Sequence, residues 1–112
     1  MAIFHITTES QWAAAERAGR YAGDSLAAEG FIHCSTAVQV ATVANARFRG
    51  QAGLVVLHID EARLDAPVKY ENLEGGTELF PHIYGPLNAN AVTAVTPLIP
   101  GTGGAFEFLT AP

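Results

Sequence analysis

The residues of this chain best suited to chemistry fall in three short segments: His5-Ile6-Thr7, His33-Cys34-Ser35, and Phe80-Pro81-His82-Ile83-Tyr84-Gly85. Histidine, with an ordinary pKa of about 6.5, works as acid, base or hydrogen-bond donor near neutral pH. The first two segments lie in apolar runs of strand character, where successive side chains alternate faces. His5 and Thr7 therefore share one face, with Phe4 and Ile6 on the other, and His33 and Ser35 are separated from Ile32 and Cys34 in the same way. Each strand is expected to give one apolar face to a core and one face with an imidazole beside a hydroxyl. The functional expectation is that these two faces meet His82 and Tyr84 around one cleft, where several imidazoles reach a single ligand.

Each candidate has a plainer reading. A lone histidine at a sheet edge often does no more than donate to a backbone carbonyl. His58 lies inside an apolar run without a polar companion and is expected to be structural. Ser35 and Thr36 precede a helical segment, so N-capping is their first expected duty, and Gln39 has the spacing of a capping box. The same helix start also suits an anion such as a phosphate or carboxylate. Glu71, between Tyr70 and Asn72, is either an exposed strand carboxylate or one that stabilises a developing positive charge or orients a ribose hydroxyl. Tyr84 either stacks on a planar ring or covers the edge of the core.

Metal and hydrolase motifs are poor. His33 and Cys34 are adjacent and face apart, and no His-x-x-x-His or Cys-x-x-Cys spacing occurs, so no metal is expected. A three-histidine site from His5, His33 and His82, serving a metal-dependent hydrolase, stays as an alternative. Gly-x-Ser-x-Gly is absent, and Gly101-Thr102-Gly103-Gly104, with no Lys following it, reads as a turn.

The 112 residues suit one domain spanning 1–112. Apolar residues make up 49% and charged residues 15%, which argues against disorder. Eleven acids against six dispersed bases give a net charge of -5 and no basic stripe, so duplex nucleic acid is not an expected partner. No apolar stretch approaches the roughly 20 residues of a spanning helix, so no membrane partner is expected. A single cysteine and a start without signal-peptide character make cytoplasmic residence the expectation.

The elements that must position the candidates follow from periodicity and punctuation. Residues 2–7 read as a strand. Thr8 and Gln11 have capping spacing for a helix over 9–18, which Gly19 closes. Residues 20–29 suggest a loop with one helical turn, and 31–35 a second strand. Thr36 and Gln39 head a second helix running to Phe48, with Gly50 beyond. The nearly continuous apolar run 53–60 predicts a strand covered on both faces, at the centre of a sheet. Further strands are expected over 68–73, 91–98 and 106–109, whereas Pro81 and Gly85 suggest irregular backbone over 80–85. Two main helices early and strands later make an α+β fold with a mixed or antiparallel sheet.

The series Ile3-Phe4-His5-Ile6-Thr7, Gln11-Trp12, Gly30-Phe31-Ile32-His33-Cys34-Ser35 with Gln39, Leu54 to Asp60, Tyr70-Glu71 and Phe80 to Leu87 resembles the bacterial family called domain of unknown function 952. The Gly-Phe-Ile-His-Cys-Ser and Phe-Pro-His-Ile-Tyr-Gly segments are its specific part, and the likeness covers nearly the whole chain. That family is similar to the ADP-ribosyltransferase superfamily, which implies a split α+β fold whose cleft binds NAD. By this resemblance His5 corresponds to the first-strand anchor of the nicotinamide-side ribose. His33 and Ser35 sit at the second-strand contacts, and Glu71 is the candidate for the later glutamate, although no transferase motif surrounds it. The implied activity is binding of NAD or an ADP-ribose-bearing ligand, with ADP-ribosyl or phospho transfer. His5, His33 and Glu71 are the expected catalytic residues, and Thr7, Ser35, Gln39, His82 and Tyr84 the expected ligand contacts. The alternative is a nucleotide-binding or adaptor module without turnover.

Overall fold

The chain enters as β1 (Ala2–Thr8) and turns at once into α1 (Glu9–Ala18), because the Thr8 hydroxyl accepts from Gln11 N at 3.2 Å. Gly19, with φ at 78°, ends that helix in the left-handed conformation that glycine adopts without a steric cost. Then come β2 (Arg20–Tyr21), α2 (Gly23–Glu29), β3 (Ile32–His33) and α3 (Val40–Arg47). The second half holds β4 (Leu54–Asp60), β5 (Val68–Glu71), β6 (Phe80–Ile83), β7 (Leu87–Asn88) and β8 (Val92–Leu98). The computed structural model describes residues 2–108.

β4 is the middle strand of an antiparallel sheet ordered β1-β4-β8, as its apolar run requires. On one face Val55, Leu57 and Ile59 pack with Ile3 and with Trp12 and Ala15 of α1. On the other, Leu54 and Val56 pack with Phe4, Ile6 and Leu98 and with Val40 and Ala44 of α3. Both faces of β1 are covered too: Ile3, Phe4, Ile6 and Thr7 are all buried, so the open polar face expected for this strand does not form. Two smaller antiparallel sheets, β2-β7 and β3-β6-β5, complete the α+β fold, and a bridge between Phe4 and Ser35 ties the last of these to β1. No helix among the described residues is long and apolar enough to cross a membrane.

Four departures from the sequence reading have local causes. Residues 23–29 form a third helix where a loop with one helical turn was expected; Gly30 closes it and Leu26 packs on the core. The second helix starts at Val40, after a turn in which Gln39 N donates to Thr36 O. No strand forms over 106–108, and Leu109 lies outside the described residues. There the Asn45 side chain takes the place of a strand partner, accepting from Phe106 N at 2.7 Å and donating to Phe106 O at 3.1 Å.

The fourth departure matters most, because Phe80–Ile83 is a regular strand, and a central one, despite Pro81. The N–H and C=O of a strand residue point to the same side. The Pro81 carbonyl accepts from Cys34 N at 3.0 Å, so the donor that proline lacks would face Cys34, one residue beyond the end of β3. One reciprocal bond is given up at the end of the β3 ladder, and the pairing with β5 on the other side loses none.

Candidate functional site

Register builds the site. Across β3-β6-β5, His33 stands opposite His82 and His82 opposite Lys69, while Glu71 lies opposite Phe80 in the next row. Opposed residues share a face and successive ones alternate. One face of this sheet therefore carries His33, His82, Lys69 and Glu71. Tyr84 continues that face, its N–H donating to Pro67 O at 2.8 Å. The alternate residues Ile32, Ile83 and Val68 go to the core.

His82 is the focus of this face. Its ring stacks on Phe31 at 4.2 Å between centroids with 21° between planes, which leaves the residue only 5% exposed. Nδ1 lies 3.0 Å from Glu71 Oε1, and the same carboxylate oxygen accepts a short hydrogen bond from the Tyr84 hydroxyl. A carboxylate can only accept, so Nδ1 carries a proton in this contact and, in the neutral ring, Nε2 carries the lone pair. Among the described residues Nε2 has no hydrogen-bond partner, and no buried polar side-chain atom there lacks one. Nε2 thus reaches solvent, as a general base must.

The surrounding charges follow from these contacts. The Tyr84 hydroxyl and then His82 hold the Glu71 carboxyl below the usual range, and Glu71 in turn raises the Tyr84 phenol. Lys69 Nζ sits 4.8 Å above the Tyr84 ring. His33 meets His82 edge-on at 5.3 Å, and its Nε2 lies 3.1 Å from Glu29 Oε2. With side chains 40% and 50% exposed, that last pair is well solvated and adds little to stability.

His5 does not join this cluster through its ring. Ser35 is paired with Phe4 and shares its face, which turns His5 toward the Cys34 side. There His5 Nδ1 donates to His33 O at 2.5 Å, and Nε2 lies 2.8 Å from the Tyr21 hydroxyl. Tyr21 stands 3.1 Å from Thr7 Oγ1, which stands 2.8 Å from the Gln11 amide oxygen. Burial pulls the His5 pKa down to about 4, against the raising effect of the His33 carbonyl, so the ring is neutral at pH 7. His5 therefore touches the site through the main chain of His33.

The remaining candidates are placed as follows. Ser35 continues the His33 face and is buried, with its main chain bonded both ways to Phe4. Gln39 accepts from Thr36 N at 2.9 Å and donates to Leu79 O and Glu78 Oε2 at 2.9 and 3.0 Å, a structural latch between two loops. His58, expected to be a satisfied structural histidine, has its partner in Thr96 Oγ1 at 2.6 Å. Cys34 is a buried thiol whose pKa burial raises. Among the described residues no three His, Cys, Asp or Glu side chains gather as metal ligands, so the three-histidine arrangement does not form.

Sequence reasoning did not pick out Tyr21, Glu29, Phe31 or Lys69. The alternation that pairs His33 with Ser35 also pairs Phe31 with His33 and Lys69 with Glu71, and that signal could have found both. Nothing local marks Tyr21.

The fold is shared with solved structures. The crystal structure of protein CC0527 from Caulobacter crescentus superposes with a TM-score of 0.86 at 35% identity, over 96% of this chain and 94% of that one. The solution structure of CC0527 gives a TM-score of 0.81 at 36% identity, over 93% and 90%. No curated protein matches the chain. The family model described as "Protein of unknown function (DUF952)" matches residues 6–95, and with that match the chain belongs to the DUF952 family.

Proposed function

We propose that the histidine face of β3-β6-β5 binds a phosphate-bearing nucleotide, with NAD and ADP-ribose the first compounds to try, and that His82 is its acid–base group. The observation that carries this reading is the row His33, His82 and Lys69, in register across three strands and backed by Glu71. Three basic groups in line suit an anionic group even on a chain of net charge -5. Glu71, already accepting from Tyr84 and His82, is suited to fix the orientation and proton of His82 while Nε2 works. His33 supplies a second, more exposed imidazole. The resemblance to the ADP-ribosyltransferase superfamily that the sequence motifs imply is what singles out NAD and ADP-ribose among such ligands.

Calorimetric titration with NAD and with ADP-ribose tests the reading. Binding that weakens about tenfold in both His33→Ala and His82→Ala is the expected result, the scale for losing one charge-assisted contact. No heat from either compound at millimolar concentration, or binding unchanged in His82→Ala, overturns it. Release of nicotinamide from NAD separates turnover from binding alone.

A further inference from the structure

Beside the histidine face, a groove of about 740 Å³ runs from Tyr84 to the β2-β7 ladder. That volume lies within the roughly 300–1,000 Å³ of small-molecule sites. Its walls are tied together before any ligand arrives. Ala89 N donates to Gly19 O at 3.0 Å, and Asn88 accepts from Asp65 N at 3.0 Å while donating to Arg63 O at 2.9 Å. Gly85 lets two of the loops close up, since a Cβ built there would stand 2.8 Å from Ala66 Cβ.

Two charged side chains line the groove, Arg20 and Asp65. Among the described residues neither forms an ion pair, with the other or with any third group. An unpaired guanidinium and an unpaired carboxylate in one preformed groove are matched by a ligand that carries both an anionic group and hydroxyl donors. Arginine's planar fork suits phosphate oxygens, and a carboxylate is a good acceptor for the vicinal hydroxyls of ribose.

We infer that this groove is a sugar-phosphate subsite, in which Arg20 takes a phosphate and Asp65 takes ribose hydroxyls. It rests on the reading of the histidine face only for the rest of the ligand: Tyr84 borders both places, so a nucleotide lying across it would put one sugar-phosphate unit in the groove.

The test uses the full chain, ribose 5-phosphate as probe, and amide chemical shifts as readout. Ribose 5-phosphate should move the amides of Arg20, Gly85 and Asn90. Arg20→Ala and Asp65→Asn should each weaken binding about tenfold, with Arg20→Lys recovering part of the loss. Both residues are exposed, so the variants should keep the wild-type spectrum elsewhere. No movement of those amides, equal affinity in the variants, or binding of glycine there in place of ribose 5-phosphate overturns the inference. If the groove binds ribose 5-phosphate while ADP-ribose leaves the His33 and His82 imidazole signals unmoved, the function proposed above fails and this one stands.

Discussion

Glu71 and His82 are diagonal neighbours across the β5-β6 ladder, not opposed ones: register puts Glu71 opposite Phe80, and the carboxylate reaches back two positions, past the Tyr70–Pro81 pair, to bring Oε1 within 3.0 Å of Nδ1. A diagonal contact of this kind is within reach only of long side chains. A shorter acid at 71 would leave the imidazole unheld. Glu71→Asp and Glu71→Ala should therefore both turn the single Nδ1–H tautomer of His82 into a mixture, read from imidazole ¹⁵N shifts, and weaken ADP-ribose binding about tenfold. Glu71→Gln keeps an acceptor and should preserve the tautomer. A single unchanged tautomer in Glu71→Ala would contradict this assignment.

Stability should depend on pH through His5. Its pKa is about 4 in the fold and about 6.5 when the chain is unfolded, so between these values the unfolded state binds the extra proton. Stability is thus present above about pH 6.5 and is lost as pH falls toward about 4. The loss is ~2–3 kcal/mol from this group. Glu71, with its carboxyl held low, adds a loss in the same direction below the ordinary carboxylate range. Urea unfolding of the wild type and His5→Gln at neutral and acid pH checks it, and the variant should show the shallower dependence.

Tyr21→Phe removes the hydroxyl that stands between His5 Nε2 and Thr7 Oγ1. The phenol has one proton to give, so its removal leaves one acceptor without its donor in a mostly buried place and should destabilise the protein by about 1–3 kcal/mol. Chemical denaturation measures this, and a neutral substitution would show that water replaces the hydroxyl.

Gln39→Ala should loosen the 73–79 loop at its far end, because among the described residues Gln39 is what joins Leu79 O and the Glu78 carboxylate to the turn at Thr36, while Arg47 holds Glu74 nearer its start. Limited proteolysis should cut the variant within that exposed loop well before the wild type is cut.

Gly85→Ala should cost about 1–3 kcal/mol through the clash with Ala66. Ala66→Gly removes the atom in the way and should restore most of the loss in the double variant.

What was legible in the sequence was whatever depends on near neighbours. The apolar run at 54–60 declared β4 as the central strand, and Thr8, Gln11 and Gly19 declared the limits of α1. The site was half legible. Alternation correctly says that His5 and Thr7 share a face, but not what lies over that face, and here the core and Tyr21 cover it. Pro81 argued against a strand at 80–83 because the rule concerns a lost donor, and a sequence does not reveal which side that donor would face. Tyr21, next to Arg20 and two residues before Gly23, gave no sign that its hydroxyl would meet an imidazole 16 positions away.

The sharing of β4 between the two apolar clusters bears on how the molecule comes apart. Val55, Leu57 and Ile59 serve one cluster while Leu54 and Val56 serve the other. Neither half can shed its packing without stripping a side of the strand that the other half needs. Melting should then be all-or-none, with the amides of Leu54–Asp60 the last to trade their protons for deuterium.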